Sequence, residues 1–275
     1  MILVVGANGM LGRDLMACAG SDARGIDIDQ LDITSLEDTL QVLSDLKPDT
    51  VVNCAAFTNV DGCETDIETA MQVNGEGVAH LAIATRAIDA RLVHISTDYV
   101  FDGRKGEPYV EDDAPHPLNV YGESKLAGEM NAVFNPRHLI VRTQWLYGVH
   151  GRNFVETMLR LAGEQDELTV VDDQTGSPTW TVDLAQAILA LLKGEHTGIY
   201  HAANSGYCTW NEFARAVFEE AGIDRVVKGM TTEQLNRPAR RPLYSTLDCS
   251  RLEHDSGFCF QPWRAALKEY LKLNK

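Results

Sequence analysis

The stretch ILVVGANGMLG at the start of the chain constrains the fold more than any other. An apolar run leads straight into Gly6, Gly9 and Gly12, and a helix-like pattern follows. In such a unit the first glycine permits a tight turn, the second lets backbone N–H groups approach an anion, and the third lets helix and strand pack closely. A turn without a ligand is the alternative, but the context predicts a bound dinucleotide. The residues expected to hold it here are Gly6, Asn8, Gly9, Met10, Leu11 and Gly12.

An acidic residue after the next strand would read the ribose hydroxyls of that dinucleotide. The segment ARGIDID offers Asp27, with Asp29 as the competitor. A carboxylate at this place repels the additional phosphate of NADPH, although a solvated pocket edge can tolerate it. The sequence therefore predicts NADH or NADPH as the cofactor, with NADH slightly favoured.

Short apolar runs alternate with helical patterns through the first half of the chain. The runs ILVVG, TVVNCAA, RLVHIST and HLIVRT read as strands, and helices are expected over 11–19, 36–46, 70–87 and 121–134, the second capped by Thr34 or Ser35. This alternation predicts an α/β fold, a Rossmann-type doubly wound parallel sheet.

Amphipathic helices with short strands between them dominate after about residue 147 and predict a smaller, mainly helical C-terminal substrate lobe. We expect a dinucleotide-binding domain over 1–147 plus roughly 167–204, and a substrate-binding lobe over 148–166 and 205–275.

Charge and cysteine usage exclude several classes of partner. The chain carries 24 Lys and Arg against 40 Asp and Glu, a net charge of −16, which argues against nucleic acid and against anionic membranes. Its six cysteines form no CxxC pair and no dense framework, as expected for reduced thiols. Because strand-like sequence starts at Ile2, we expect no signal peptide. Because no apolar run is long enough, we expect no membrane span. We expect a cytoplasmic protein.

Two further motifs carry acid–base chemistry. In NVYGESKLAGE, Tyr121 and Lys125 lie four positions apart, hence on one helical face, where the ammonium could lower the pKa of the phenol. In HISTDYVFDG, Ser96, Thr97 and Asp98 emerge at the carboxyl end of a strand, the edge that also holds the glycine turn. A surface pair and a capping cluster are the plainer alternatives. Together the motifs predict that a hydroxyl holds a carbonyl, the phenol protonates it and a nicotinamide delivers hydride.

These motifs resemble the extended short-chain dehydrogenase/reductase superfamily over about the first 150 residues. More narrowly, the segments NCAAFTNVDGCE, STDYVFDG, PLNVYGESKLAGE, RTQWLYG and DDQTGSPT resemble the dTDP-4-dehydrorhamnose reductases almost to the end of the chain. The resemblance implies reduction of the 4-keto group of a dTDP-linked 6-deoxy sugar. It implies that Thr97 orients the carbonyl, Tyr121 donates the proton, and Lys125 binds the nicotinamide ribose and lowers the pKa of Tyr121.

The resemblance also implies contacts for residues that the motifs alone do not assign. The adenine and diphosphate side of the cofactor would be lined by Ala55, Ala56, Asp32 and Ile33. Asn74 would be the active-site asparagine. Thr58, Val60, Asp98 and Trp145 would contact the substrate. Arg241, beside Arg240 in RRPLYSTLD, would pair with the nucleotide diphosphate, since guanidinium binds phosphate oxygens bidentately; a solvated surface turn is the alternative.

Other activities on the same scaffold stay open. Tyr99 stands where 4,6-dehydratases carry a second carboxylate, which disfavours water elimination. The alternatives are another nucleotide-sugar 4-ketoreductase, an epimerase, and a non-catalytic regulatory subunit resembling the β subunit of methionine adenosyltransferase. Some relatives are dimers with Mg²⁺ at the interface, so a homodimer is possible, but no metal ligand can be assigned.

Overall fold

The structure, a computed structural model, describes residues 1–273 and contains one large parallel sheet. The strands in chain order are β1 (Ile2–Val5), β2 (Ala23–Ile26), β3 (Thr50–Asn53), β4 (Arg91–Thr97), β5 (His138–Thr143), β6 (Leu146–Tyr147), β7 (Glu167–Val171), β8 (Thr175–Gly176), β9 (Thr179–Trp180), β10 (Gly198–His201), β11 (Cys208–Thr209) and β12 (Val226–Met230). The large sheet has the order β10-β5-β4-β3-β1-β2, and every neighbouring pair in it is parallel.

Helices cover both faces of this sheet, as predicted for a doubly wound fold. The helices are α1 (Met10–Ala19), α2 (Leu36–Leu46), α3 (Val60–Cys63), α4 (Ile67–Met71), α5 (Gly77–Ala87), α6 (Val120–Ala132), α7 (Phe154–Glu164), α8 (Thr181–Leu191), α9 (Trp210–Ala221), α10 (Thr232–Leu235), α11 (Ser250–Ser256) and α12 (Trp263–Leu273). The predicted fold class is confirmed, and Ser35 rather than Thr34 caps α2 by accepting the Asp38 N–H.

Successive residues of the central strand explain why the strands show no polar alternation. Val4 packs on one face with Leu15 of α1 and Ile188 of α8, whereas Leu3 and Val5 pack on the other face. Because both faces are covered, every position must be apolar. The strand order reverses between β1 and β3, and open α/β sheets bind ligands at such a switch point, beyond the carboxyl ends of the strands.

The smaller lobe has a hydrophobic core of its own. Val155 of α7, Phe213 of α9 and Tyr270 of α12 are fully buried in it. The prediction from sequence placed 167–204 with the dinucleotide-binding domain, but β7 pairs with β12 and its Leu168 belongs to the core of the smaller lobe. We propose to move β7 to that lobe, while α8 and β10 stay with the large sheet.

The helix expected over 70–87 is present, but part of it is not regular α-helix. The chain forms α4, then a wide π-type turn over Gln72–Glu76, then α5. Hydrophobic periodicity does not reveal such an inserted residue, and π-type bulges are frequent at functional sites. Among the helices of residues 1–273, none combines the length and the apolar character needed to cross a membrane.

Candidate active site

The glycine turn joins β1 to α1 beside the end of β3. Gly6 has φ +77°, and a Cβ there would lie 2.7 Å from the Ala55 nitrogen. Gly9 caps α1, and a Cβ on Gly12 would collide with the Gly6 carbonyl oxygen. Gly6 is therefore required by its left-handed backbone and Gly12 by close approach, and the first N–H groups of α1 face the open sheet edge. These residues fit a dinucleotide pyrophosphate.

Asp27 closes the other side of this turn. Its Oδ2 accepts the Asn8 N–H at 2.8 Å and its Oδ1 accepts the Ile28 N–H at 2.9 Å. Asp27, Asn8 and Arg13 line one cavity of about 450 Å³, whereas Asp29 lines a neighbouring one. Arg13, which the sequence analysis did not single out, brings a cation to the place where Asp27 brings an anion.

Other residues expected at the cofactor face it less directly. Leu11 and Ile33 bury their side chains in the core, so any contact with a cofactor would use their backbone atoms. The Asp32 carboxylate accepts the N–H and the hydroxyl of Thr34. Met10 begins α1 and lies against Gly148.

Tyr121 and Lys125 lie in α6, whose N-cap is Asn119. The Lys125 side chain is buried, donates to the Ile95 carbonyl at 2.6 Å, and lies 3.5 Å from His94 Nε2. Burial lowers the pKa of Lys125 to about 8, while Glu129 and Cys54 oppose the change. Burial, assisted by Asp98, raises the pKa of Tyr121, and a hydrogen bond with Thr97 opposes it. Lowering of the Tyr121 pKa by Lys125 stays a prediction for the complex with cofactor.

Thr97 and Asp98 lie at the phenol, but Ser96 does not. The Thr97 hydroxyl donates to Asp98 Oδ1 at 3.0 Å, and Ser245 donates to Asp98 Oδ2 at 2.5 Å. Burial raises the pKa of Asp98 to about 6, against these hydrogen bonds. Ser96 donates instead to Glu129 in the buried layer beneath, because neighbouring residues of a strand face opposite sides. The expected gathering of all three residues is therefore wrong for Ser96.

Asn74 positions the loop that follows β3. Its Oδ1 accepts the Phe57 N–H at 2.8 Å, and its Nδ2 donates to the Phe57 carbonyl and to the Ser124 hydroxyl, each at 3.0 Å. It thereby ties the loop that carries Ala55, Ala56 and Thr58 to the helix of Tyr121. The π-type turn at Gln72–Glu76 is what aims Asn74 inward.

Trp145 and Arg241 approach the cleft from the side of the smaller lobe. Trp145 has φ +47°, a strained value for a bulky residue, and its ring stacks on Trp210 at 3.6 Å between centroids. Arg241 donates to Asp61 Oδ1 at 3.1 Å and to the Ala239 carbonyl at 2.8 Å. It lines a cavity of about 540 Å³ that also includes Arg104, Arg237 and Arg240.

Tyr99 links Arg241 to Tyr121. It is hydrogen-bonded to Arg241, and its ring meets that of Tyr121 edge to face at 5.6 Å. Val60, expected at the sugar, begins α3, the helix that also carries Asp61. Arg241, which lines the cavity of about 540 Å³, is thus connected through Tyr99 to Tyr121.

Sequence reasoning missed the residues that support this site. Four residues form hydrogen bonds with a predicted site residue or with the loop that carries one: Asp61, Asn119, Ser124 and His94. Of these, only Ser124 could have been suspected from the sequence, because it stands one position before Lys125. No group of three or more His, Cys, Asp or Glu within residues 1–273 is placed to hold a metal ion.

Substituting Lys125 by Met should raise the stability of the cofactor-free protein near neutral pH. Because burial lowers the pKa from 10.5 to about 8, Lys125 is still protonated in the folded protein below pH 8, and burying that charge destabilises the folded state there. Removing that charge is worth at most about 3 kcal/mol, less the lost hydrogen bond to Ile95.

The sign of the pH dependence gives the check. Between pH 8 and pH 10.5 the unfolded chain holds the proton that the folded protein has released, so wild-type stability rises relative to Lys125→Met in this window. Urea unfolding of both proteins at pH 7 and pH 9.5 measures the difference. A constant difference between the two pH values would contradict the burial of a titrating lysine.

Comparisons with known proteins identify the family of this chain. A family model described as RmlD substrate binding domain matches residues 1–275. A dTDP-4-dehydrorhamnose reductase of Streptomyces griseus is 46% identical over 278 residues, 97% of this chain and 91% of the relative. A dTDP-4-keto-6-deoxy-D-glucose reductase of Streptomyces niveus is 40% identical over 277 residues, 98% of this chain and 96% of the relative.

A solved structure extends the match to the whole fold. The crystal structure of dTDP-4-dehydrorhamnose reductase from Bacillus anthracis in complex with NADP has a TM-score of 0.95 and 39% identity, covering 99% of this chain and 98% of that one. The resemblance that the motifs indicated is confirmed over the full length. The chain therefore belongs to the RmlD substrate-binding-domain family, the family of the dTDP-4-dehydrorhamnose reductases.

Proposed function

We propose that this protein reduces the 4-keto group of dTDP-4-dehydro-L-rhamnose to give dTDP-L-rhamnose, in nucleotide-sugar biosynthesis. The observation that carries the proposal is the hydrogen bond between Tyr121 and Thr97, next to Tyr99, which is itself hydrogen-bonded to Arg241. Family membership supports the substrate class, because relatives of similar length act on dTDP-linked keto sugars according to their names.

Each catalytic residue has one task in this reaction. Thr97 holds the carbonyl oxygen beside the phenol, and Tyr121 donates its proton to that oxygen as it gains negative charge. Lys125 binds the nicotinamide ribose and, as an ammonium, stabilises the phenolate that Tyr121 leaves behind. A bound NADH or NADPH supplies the hydride to the carbon, so that one hydride and one proton convert the ketone to an alcohol.

Substrate binding falls to four residues, of which Arg241 lines the cavity of about 540 Å³. Trp145, Thr58 and Val60 border the deoxysugar, and Arg241 meets the diphosphate. Arg241 is hydrogen-bonded to Asp61 and to Tyr99, and these bonds hold its guanidinium in place. On a chain of net charge −16, this local cluster is what attracts an anionic substrate.

The cofactor is NADH or NADPH. Asp27 accepts hydrogen bonds at the ribose side and favours NADH slightly, whereas Arg13 in the same cavity offers a partner for the additional phosphate of NADPH. This pairing supports the use of both forms. The structure of the Bacillus anthracis relative holds NADP.

The decisive experiment follows cofactor absorbance with purified protein and dTDP-4-keto-6-deoxy-L-mannose, comparing NADH with NADPH. Oxidation that requires the sugar supports the reductase, and the ratio of kcat/KM for the two cofactors measures the effect of Asp27 against Arg13. Absence of oxidation with every dTDP-linked 4-keto sugar tested would refute the proposal.

Alternative activities give different outcomes in the same assay. Another 4-ketoreductase would oxidise the cofactor only with a different keto sugar. The Streptomyces niveus relative, a dTDP-4-keto-6-deoxy-D-glucose reductase, is the reason to test this alternative. An epimerase would carry its cofactor through purification and consume none. A regulatory subunit like that of methionine adenosyltransferase would bind cofactor without turnover and co-purify with a synthetase.

We further propose a homodimer in the cytoplasm. Exposed Met130, Val133 and Phe134 near the end of α6 give the chain an apolar surface suited to self-association. All six cysteines are free thiols, which suits a reducing compartment. Sedimentation velocity measures the oligomeric state, and cell fractionation measures where in the cell the protein lies.

A further inference from the structure

Asn119 uses both ends of its amide at the start of the catalytic helix. Its Oδ1 accepts the Gly122 N–H at 2.7 Å and so caps α6, two residues before Tyr121. Its Nδ2 donates to the carbonyl of Arg240 at 2.6 Å, although the two residues lie 121 positions apart. The side chain is 4% exposed, so both hydrogen bonds are shielded from water. An N-cap needs only the oxygen, and the second bond calls for another explanation.

The segment held by Asn119 carries three of the arginines that line the cavity of about 540 Å³. We call residues 237–241 the arginine segment because it contains Arg237, Arg240 and Arg241. Asp61 of α3 accepts the Ala239 N–H at 3.2 Å and pairs with Arg241 at 3.1 Å and Arg237 at 3.6 Å. Asn119 holds the segment from the opposite element. The arginine segment belongs to neither helix and has no regular structure of its own.

The first turn of α6 is fixed from two further sides. Glu64 Oε1 accepts the Val120 N–H at 2.9 Å, and a Cβ on Gly122 would collide with the Tyr99 carbonyl oxygen. The helix end is therefore rigid independently of the arginine segment. A rigid capped helix can serve as the anchor, and the irregular arginine segment is the part that needs one.

We propose that Asn119 is a positioning residue that anchors the arginine segment to the catalytic helix, so that the cations meet the diphosphate of the substrate at a fixed distance from Tyr121. The proposal rests on the proposed function, since it assumes a nucleoside diphosphate group in the cavity of about 540 Å³. Without the bond from Asn119 the segment is held only by Asp61, so the ligand must supply the rest of its ordering, and that ordering weakens binding.

The test uses Asn119→Ser, which keeps a capping oxygen but is too short to reach the Arg240 carbonyl. We expect the Kd for dTDP, measured by calorimetry, and the KM for the nucleotide sugar to rise about tenfold. The Kd for NADH should stay within about twofold, and kcat at saturating substrate within about threefold, because bound diphosphate restores the segment.

Asn153 provides a matched control. It caps α7 through the Glu156 N–H at 3.1 Å, and its Nδ2 donates to the Gly148 carbonyl at 2.8 Å. Asn153→Ser therefore removes the same kind of bond, and it should lower the melting temperature by a similar amount without changing the Kd for dTDP. A similar rise in the Kd for dTDP in both variants would assign the effect to general destabilisation and overturn the proposal.

Two further results separate this inference from the function on which it rests. Wild-type protein that binds no dTDP overturns the proposed function and this inference together. Wild-type binding that Asn119→Ser leaves unchanged, or an equal loss of dTDP and NADH binding, overturns the inference alone.

Discussion

Tyr121→Phe is expected to lower kcat by about 10²–10⁴-fold, the range that one positioned acid contributes to a proton transfer. The substitution removes only the hydroxyl, so the ring keeps its edge-to-face contact with Tyr99 at 5.6 Å. Because the phenol protonates the carbonyl in the transition state, KM for both substrates should change little. Steady-state kinetics at saturating cofactor measures the loss.

Tyr99→Phe is the matched control for this result. It removes a hydroxyl that is hydrogen-bonded to Arg241 rather than to Thr97, so it should affect KM for the nucleotide sugar more than kcat. Should Tyr121→Phe retain more than about a tenth of wild-type kcat, the assignment of Tyr121 as proton donor would be wrong.

Glu129→Gln should lower the free energy of unfolding by about 3–5 kcal/mol, because it leaves a buried guanidinium without its counter-charge. Arg142 donates to the two Glu129 oxygens at 2.8 and 2.7 Å, and the side chains are only 2% and 4% exposed. The guanidinium also lies 5.0 Å from the Phe101 ring centre. Urea unfolding at constant pH measures the change.

Two comparisons test whether burial is the cause. Glu164→Gln breaks the exposed pair with Arg160 on α7 and should change stability by no more than about 0.5 kcal/mol. Combining Glu129→Gln with Arg142→Met removes both charges and should recover most of the loss. Equal effects of Glu129→Gln and Glu164→Gln would refute the argument.

Much of the site follows from local sequence rules. The spacing of Gly6, Gly9 and Gly12 is readable because a turn, an anion and a close helix each require a glycine at a fixed offset. The four-residue interval between Tyr121 and Lys125 is equally local. Even so, periodicity predicted a regular helix where the chain forms a π-type turn at Asn74. Asn74 is hydrogen-bonded to Phe57 and Ser124, which are distant in sequence, and periodicity does not show such bonds.

Contacts between distant segments were beyond such rules. Lys125 was expected beside Tyr121, but in the cofactor-free protein it donates to the Ile95 carbonyl, a choice made by the neighbouring strand. Ser96 shares a motif with Thr97 but faces the buried Glu129 because of the strand pleat. The sequence around Asp61 gives no indication that its carboxylate pairs with Arg241, 180 positions away.

The sequence by itself determined the fold class, the glycine turn and the interval between Tyr121 and Lys125, because these depend on strand and helix periods and on glycine geometry within short segments. Its motifs indicated the family. Only the tertiary structure decided which face each polar side chain takes, that Arg13 stands opposite Asp27, and that Asn119 and Asp61 hold the arginine segment. The physical reason is that a hydrogen-bond partner is chosen by proximity in the folded chain, and loops brought together by packing carry no periodic signal.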